Sequence, residues 1–309
     1  WEHSVTTQTL GVGSDVQSRN PTYDTTLLFR PRWYVVDRPD YQAVAAAELS
    51  VTRELTNSDA TTKSGETDFP DAILFLMHGA EVHKSGDYVT RLDFLVPELI
   101  LPTSTVSRSN GTIMRLGVGA LPRQQLPLFG SESDYFKTLL LQPRLRYRYL
   151  FSTAEVPTSA DLAAQEGRIR TDIDGRPIVS DQLGGAAFAQ HQLRAGLDTV
   201  VQATKAISLA TRFEWWWSFK YAIDQDAMVC DPSFGCTQPS GVDDPEILAV
   251  NTVFLFDVSA QLMDELSASV TYANLANQIG GDGQRRNMLW SPDARFLATL
   301  ILHVDALAR

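Results

Sequence analysis

Three arginines occur at every second position in the segment QPRLRYRYL, which covers residues 142–150. Successive side chains of a β-strand point to opposite faces, so Arg144, Arg146 and Arg148 form one row on one face of a strand. Such a row attracts anions, as rings of arginine or lysine do in anion pores. Carboxylates can instead neutralise the row by forming arginine–carboxylate pairs. The sequence leaves both interpretations open.

The period-two pattern places further charged side chains on the same predicted polar face as the arginine row. If this face were turned toward lipid near the centre of a bilayer, each arginine would cost about 2–4 kcal/mol. The charged face must therefore point away from lipid, toward a polar interior that we call the inner wall. We predict that this wall is formed by Arg30, Arg32, Glu48, Arg91, Asp93, Arg115, Arg144, Arg146, Arg148, Arg194, Asp198, Arg212, Glu214 and Asp257.

Signatures of catalysis do not accompany these charges. The sequence has no GxSxG nucleophile motif, no HExxH zinc motif, no phosphate-binding P-loop and no dinucleotide fingerprint. Its five histidines stand apart from any recognisable nucleophile. We predict no catalytic residue, no metal site and no cofactor, and hence a protein that is not an enzyme.

Long alternating strands are the elements that must position these charges. In ISLATRFEWWWSF, residues 207–219, apolar and aromatic side chains occupy one face and mostly polar ones the other. A strand of a soluble protein is usually about 5–6 residues long. This run is more than twice that length, which suits a wall between lipid and a polar interior.

The same alternation recurs along the whole chain, and the connections between strands are alternately compact and long. An even number of strands places both chain ends on the side of the short turns, in agreement with this alternation. About twelve strands are predicted, at residues 4–13, 25–37, 41–55, 70–83, 88–101, 112–122, 136–152, 187–203, 206–222, 247–262, 265–276 and 294–307.

Segments such as TVFLFDVSAQL (252–262) and RFLATLILHVDAL (295–307) resemble strands of bacterial outer-membrane β-barrels of the porin or transporter type. The resemblance implies an all-β fold over residues 1–309 as a single domain. It would be a closed antiparallel transmembrane barrel with short periplasmic turns and long extracellular loops. It also implies a belt of aromatic side chains at the membrane interface. The candidates are Trp33, Tyr147, Tyr149, Phe213, Trp215 and Trp217.

Composition narrows the cellular setting. The formal net charge of -11 and the lack of a basic stripe argue against nucleic acid as a partner. No apolar stretch approaches the roughly 18 residues that a membrane-spanning helix needs. The start of the chain shows no signal peptide, and we expect that one has been removed. The predicted location is the bacterial outer membrane, with its lipid as a partner.

Two local features complete the sequence-based expectations. Cys230 and Cys236, in VCDPSFGC, have the spacing of a small disulfide loop, with two free thiols as the alternative. Proline removes a hydrogen bond from a strand ladder. Pro31, Pro97 and Pro143 therefore predict bulges or an unpaired rim.

Two functions fit this architecture. The first is an outer-membrane channel or transporter for small polar or anionic solutes, with the arginine row shaping selectivity. The second is a structural barrel that anchors other envelope proteins, with its lumen closed by arginine–carboxylate pairs. Barrels of about eight strands are filled by side chains and those of about sixteen hold water, so twelve strands leave both a filled and an open lumen possible.

Overall fold

A computed structural model describes residues 1–6, 23–56, 65, 67–109, 111–129, 135–153, 170–171, 177–178, 187–221, 228–231, 235–237, 248–277, 287–290 and 294–303. Within them, twelve strands form the wall of a barrel. They are β1 (Glu2–Thr6), β2 (Tyr23–Phe29 and Arg32–Asp37), β3 (Tyr41–Glu54), β4 (Ala72–Ser85), β5 (Tyr88–Leu101), β6 (Thr112–Pro127), β7 (Thr138–Ser152), β8 (Ala189–Gln202), β9 (Ile207–Lys220), β10 (Leu248–Met263), β11 (Leu266–Asn277) and β12 (Arg295–Leu302).

Each strand pairs antiparallel with its neighbours in sequence, and the sheet closes on itself. The first strand closes the ring, because β1 pairs with both β12 and β2, while β2 also pairs with β3. Closure of the ring pairs the first strand with the last, as a barrel that crosses lipid requires. The predicted all-β fold, the strand count and the closed antiparallel topology are confirmed.

Connections alternate between short and long around the barrel. Asp37 to Tyr41, Ser85 to Tyr88 and Met263 to Leu266 are tight turns on one side. Connections on the other side are long, and residues 154–169 of the longest one lie outside the described residues. In the described residues, no helix is long and apolar enough to cross a membrane.

Only one of the three prolines shifts the strand register. Across Pro31 the register is unchanged, because Phe29 lies opposite Leu49 and Arg32 opposite Ala46. Around Pro143 the pairing with β8 is continuous. These two prolines produce no bulge but match the alternative of an unpaired stretch. Among the described strands, the segment Arg32–Asp37 after Pro31 pairs with β3 alone, and beside Pro143 the pairing with β6 is interrupted between Leu141 and Leu145.

Pro97 does produce the predicted bulge. The β5–β6 pairing shifts between Leu95 and Glu98, and the β4–β5 pairing shifts nearby. The inward and outward positions of β5 therefore exchange parity at this point. Before the bulge the inward residues are odd-numbered, as in Asp93 and Leu95, and after it Glu98 faces inward.

A short helix, α1 (Thr105–Ser109), lies in the connection between β5 and β6. Two carboxylates hold its first turn. Asp71 Oδ1 accepts hydrogen bonds from the Ser104 amide at 3.1 Å and the Ser104 hydroxyl at 2.7 Å. Asp68 accepts two more from Thr105. These bonds fix α1 against the end of the barrel wall.

A small hairpin outside the barrel carries the two cysteines. Val229–Asp231 pairs with Gly235–Thr237, and the register places Cys230 directly opposite Cys236. No free cysteine is found in the part of the chain that the structure describes. The backbone thus brings the two cysteines together as a disulfide requires.

Candidate functional site

The two faces of the wall differ as the period-two pattern predicts. On β7, Leu145 is 52% exposed on the outer surface. The side chains of Arg144 and Arg148 retain only 8% and 9% of their accessible surface. The outer surface is therefore apolar, and the charges of β7 lie on the inner wall.

The most buried charge cluster joins β5 to β7. Glu98 accepts a bidentate pair of hydrogen bonds from Arg148, with Nε–Oε2 at 2.6 Å and Nη2–Oε1 at 2.8 Å. Arg146 approaches the same carboxylate, at 3.7 Å from Oε1. Bidentate arginine–carboxylate bonds fix both side chains, because two parallel bonds set orientation as well as distance. One carboxylate thus anchors two of the three arginines in the row.

A second cluster joins β7, β8 and β9. Arg144 Nη1 lies 2.9 Å from Asp198 Oδ2, and Arg212 binds the same carboxylate through Nε at 2.8 Å and Nη2 at 3.1 Å. Arg144 Nε also lies 3.3 Å from Glu214. The two clusters adjoin in the arginine row, so six arginine and carboxylate side chains of β7–β9, together with Glu98, form one charged section of the inner wall.

Arg194 differs from the other arginines of the inner wall. Its guanidinium lies over the ring of Trp216, 3.7 Å from the centroid, and its Nε donates to Gln192 at 2.7 Å. Trp216 in turn donates to Glu214 at 2.8 Å. Within the described residues, no carboxylate forms an ion pair with Arg194, which a cation–π contact stabilises instead.

The remaining predicted charges lie elsewhere on the wall in smaller groups. Asp93 forms ion pairs with Arg91 at 3.5 Å and with Arg123 at 3.3 Å. Arg30 pairs with Glu48 at 3.1 Å. These groups reduce the electrostatic cost of the inner charges by local pairing.

Two further predicted residues, Arg115 and Asp257, lie outside the two clusters of the arginine row. Arg115 lies 3.4 Å from Asp71 and so ties β6 to the carboxylate that holds α1. Asp257 accepts a hydrogen bond from Thr271 on the neighbouring strand. The structure does not bring Asp257 into the arginine network.

An internal cavity of about 510 Å³ lies beside the first cluster. Its wall combines charged and apolar side chains of β2 to β7. Its charged lining residues are Arg32, Glu48, Arg91, Asp93, Glu98, Arg123, Arg146 and Arg148. The inner wall is therefore not completely filled by its own side chains.

Glycines at inward positions make room for the long charged side chains. A Cβ at Gly117 would lie 2.7 Å from Glu98 Oε2 and 3.1 Å from Arg148 Cγ. A Cβ at Gly196 would lie 2.5 Å from Glu214 Cγ. Glycine within a strand marks such a close approach. The charged side chains can therefore lie flat along the wall beside these positions, which leaves the centre of the barrel less occupied.

Sequence reasoning missed several charged residues of the wall, and two of them, Glu98 and Arg123, line the cavity. Glu98 was missed because unbroken alternation from Asp93 places it on the outer face, and only the bulge at Pro97 turns it inward. Arg123 was missed because β6 was predicted to end at residue 122, whereas the strand continues to Pro127. A proline within a strand was the available signal for Glu98.

The predicted interface aromatics lie on the outer face. Trp33 and Tyr147 are exposed, and the Tyr147 hydroxyl lies 2.7 Å from His191 Nδ1. Phe213 contacts Trp215 edge to face, with ring centroids 4.4 Å apart. Phe213 lies halfway along β9 rather than at its end. The others in the predicted belt are Tyr149 and Trp217.

Comparisons with known proteins bear on the fold. An outer-membrane channel from Pseudomonas putida F1 matches with a TM-score of 0.54 and 12% identity, over 97% of this chain and 91% of that chain. The NanC porin matches with a TM-score of 0.41 and 9% identity, over 91% of this chain and 93% of that chain. The transport unit of the Escherichia coli autotransporter AIDA-I matches with a TM-score of 0.38 and 9% identity, over 97% and 87%.

Sequence comparisons add no relative. No family model matches the chain. No curated protein matches it either. The likeness to the Pseudomonas channel, together with the closed ring of twelve strands, confirms the outer-membrane β-barrel fold. A closed barrel with an apolar outer face crosses lipid, and its place is the bacterial outer membrane.

Proposed function

We propose that this protein is an outer-membrane channel for small polar or anionic solutes, and that it carries out no catalysis. The observation that supports the proposal is the internal cavity, with five arginines and three carboxylates in its lining. An excess of fixed positive charge in a narrow passage favours anions over cations. The arginine row on β7, of which Arg146 and Arg148 line the cavity, then shapes the selectivity of the passage.

Neutralising the arginine row tests this proposal. We expect that the purified, refolded protein conducts in a planar bilayer with a preference for chloride over potassium. Changing Arg144, Arg146 and Arg148 to Gln should lower the chloride-to-potassium permeability ratio by about threefold or more, because three fixed charges leave one section of the wall. The measurement is the reversal potential across a KCl gradient.

A matched variant controls for the loss of charge alone. Arg30, Arg115 and Arg295 each form an ion pair outside the row, so their combined change to Gln removes the same charge from other places. That variant should change the permeability ratio less. Silence of the wild-type protein, with heat-modifiable migration showing that it is folded, would contradict the channel. Co-purification with other envelope proteins would then favour the anchoring role.

We also propose that Cys230 and Cys236 form a disulfide in the mature protein. Their directly opposed positions in the hairpin support it, as does the oxidising compartment that outer-membrane proteins pass through. Mass spectrometry of the unreduced protein should show a mass about 2 Da below that of the reduced form, because two thiol hydrogens are lost. Alkylation of both cysteines without prior reduction would contradict the bond.

A further inference from the structure

The internal cavity has an apolar side as well as a charged one. Ile73, Phe75 and Met77 line it from three alternate positions of β4, and Leu95 and Leu121 line it from β5 and β6. Barrel interiors are usually polar. Ile73, Phe75 and Met77 are only partly buried, so part of their surface remains open to the cavity. These side chains therefore offer an apolar surface to a solute that enters the cavity.

The charged side of the cavity retains positive charge. Five arginines line it, whereas the carboxylates that line it are Glu48, Asp93 and Glu98, so two positive charges are in excess. Arg32 is exposed, and among the described residues it forms no ion pair. This guanidinium is available to an anionic group that enters the cavity.

The register places this cation beside the apolar side. Arg32 lies opposite Ala46 on β3, and Ala46 lies opposite Phe75 on β4. Neighbouring strands are about 4.8 Å apart, so Arg32 and Phe75 stand roughly 10 Å apart across the wall. Ala46, whose small side chain also lines the cavity, lies between them. The result is a groove with a cation at one edge and an aromatic ring at the other.

We propose that this cavity binds and passes monovalent organic anions that carry an apolar body. The inference rests on the proposed channel and names the class of solute that it favours. The acidic group of the solute binds Arg32, and its hydrocarbon part crosses Ala46 to contact Phe75 and Met77. Removing that hydrocarbon surface from water stabilises the bound solute in proportion to the area that is covered.

Two sulfonates of different length test the inference. Methanesulfonate and hexanesulfonate carry the same charge, which no accessible pH removes, and differ only in hydrocarbon. Reversal potentials with one potassium salt on each side of the bilayer give their permeability ratio. We expect hexanesulfonate to be favoured by about threefold over methanesulfonate despite its larger size, because partial burial of its chain lowers its free energy in the cavity.

Variants separate the contributions of the apolar side and the cation. Phe75→Gln should abolish the preference for hexanesulfonate, and Met77→Gln, which keeps the side-chain length, should lower it. Arg32→Gln should reduce the permeability of both sulfonates relative to potassium. Val253, a buried apolar residue paired across from Glu214 outside the cavity, supplies the control, since Val253→Gln should leave the ratio unchanged.

The possible outcomes separate this inference from the proposed channel. Two results overturn the assignment of apolar anions and leave the channel standing. In the first, the protein conducts KCl but prefers methanesulfonate. In the second, Phe75→Gln and Met77→Gln both keep the wild-type permeability ratio of the two sulfonates. A protein that conducts no ion overturns both. If Phe75→Gln fails to fold, the ratio measured with Met77→Gln decides.

Discussion

Replacing Glu98 by alanine should destabilise the barrel by about 3 kcal/mol, because removing one partner of a buried ion pair leaves an uncompensated charge. The change would leave Arg148 without its bidentate partner and Arg146 without its ion pair at 3.7 Å. The Arg148 side chain retains only 9% of its accessible surface, so its guanidinium would not regain full hydration without movement of the wall. Urea unfolding of the refolded protein in detergent, followed by tryptophan fluorescence, measures the loss.

An exposed ion pair on the same inner wall provides the control. Glu48 pairs with Arg30, and their side chains are 30% and 51% exposed. Pairs of this kind contribute roughly 0–1 kcal/mol, so Glu48→Ala should lose much less stability than Glu98→Ala. Equal losses in the two variants would show that the Glu98 pair is as accessible to water as the Glu48 pair. That result would refute the buried network between β5 and β7.

The sequence predicts the barrel well because strand alternation reports which face each side chain occupies. The predicted span 88–101 matches β5 at both ends, and 41–55 matches β3 to within one residue. In these strands a polar inner wall and an apolar outer wall impose period two over a long run. Repeated over twelve strands, this signal identifies the fold without any family motif.

The same reasoning fails where one residue changes the parity. Glu98 follows Pro97, and a single inserted residue reverses every later assignment on the strand. Sequence alone did not show that Pro97 shifts the register while Pro31 and Pro143 do not, because the outcome depends on the neighbouring strands. The most buried carboxylate of the site was therefore the one that alternation misplaced.

The sequence did not predict the apolar part of the inner wall, for a related reason. In AILFLMHGA, the start of β4, both faces are apolar, so alternation of polarity does not show which residues point inward. Pairing with β3 decides the question, since Phe75 lies opposite Ala46 and Ile73 opposite Glu48. Contacts between distant segments, rather than local composition, determine that Phe75 faces the cavity.

Adding one methyl group at Gly196 should disturb the second charge cluster strongly. The Cβ of Gly196→Ala would lie 2.3 Å from the Phe213 carbonyl oxygen and 2.5 Å from Glu214 Cγ. The carbonyl belongs to the paired strand, so β8 and β9 must separate locally, and overpacking of this kind costs about 1–3 kcal/mol. Moving Glu214 also weakens its 3.3 Å ion pair with Arg144. Urea unfolding and single-channel conductance measure the two effects.

The adjacent residue distinguishes this clash from a general effect of bulk on β8. Ala195 lies next to Gly196 and points to the opposite face, so Ala195→Val adds volume toward lipid rather than toward the charge cluster. This variant should keep the stability and the conductance of the wild type. If Gly196→Ala behaved in the same way, the inner wall would have room for a side chain at that position. The long charged side chains would then not need glycine at the inward positions in order to fit, and the packing that we infer for Glu214 would be refuted.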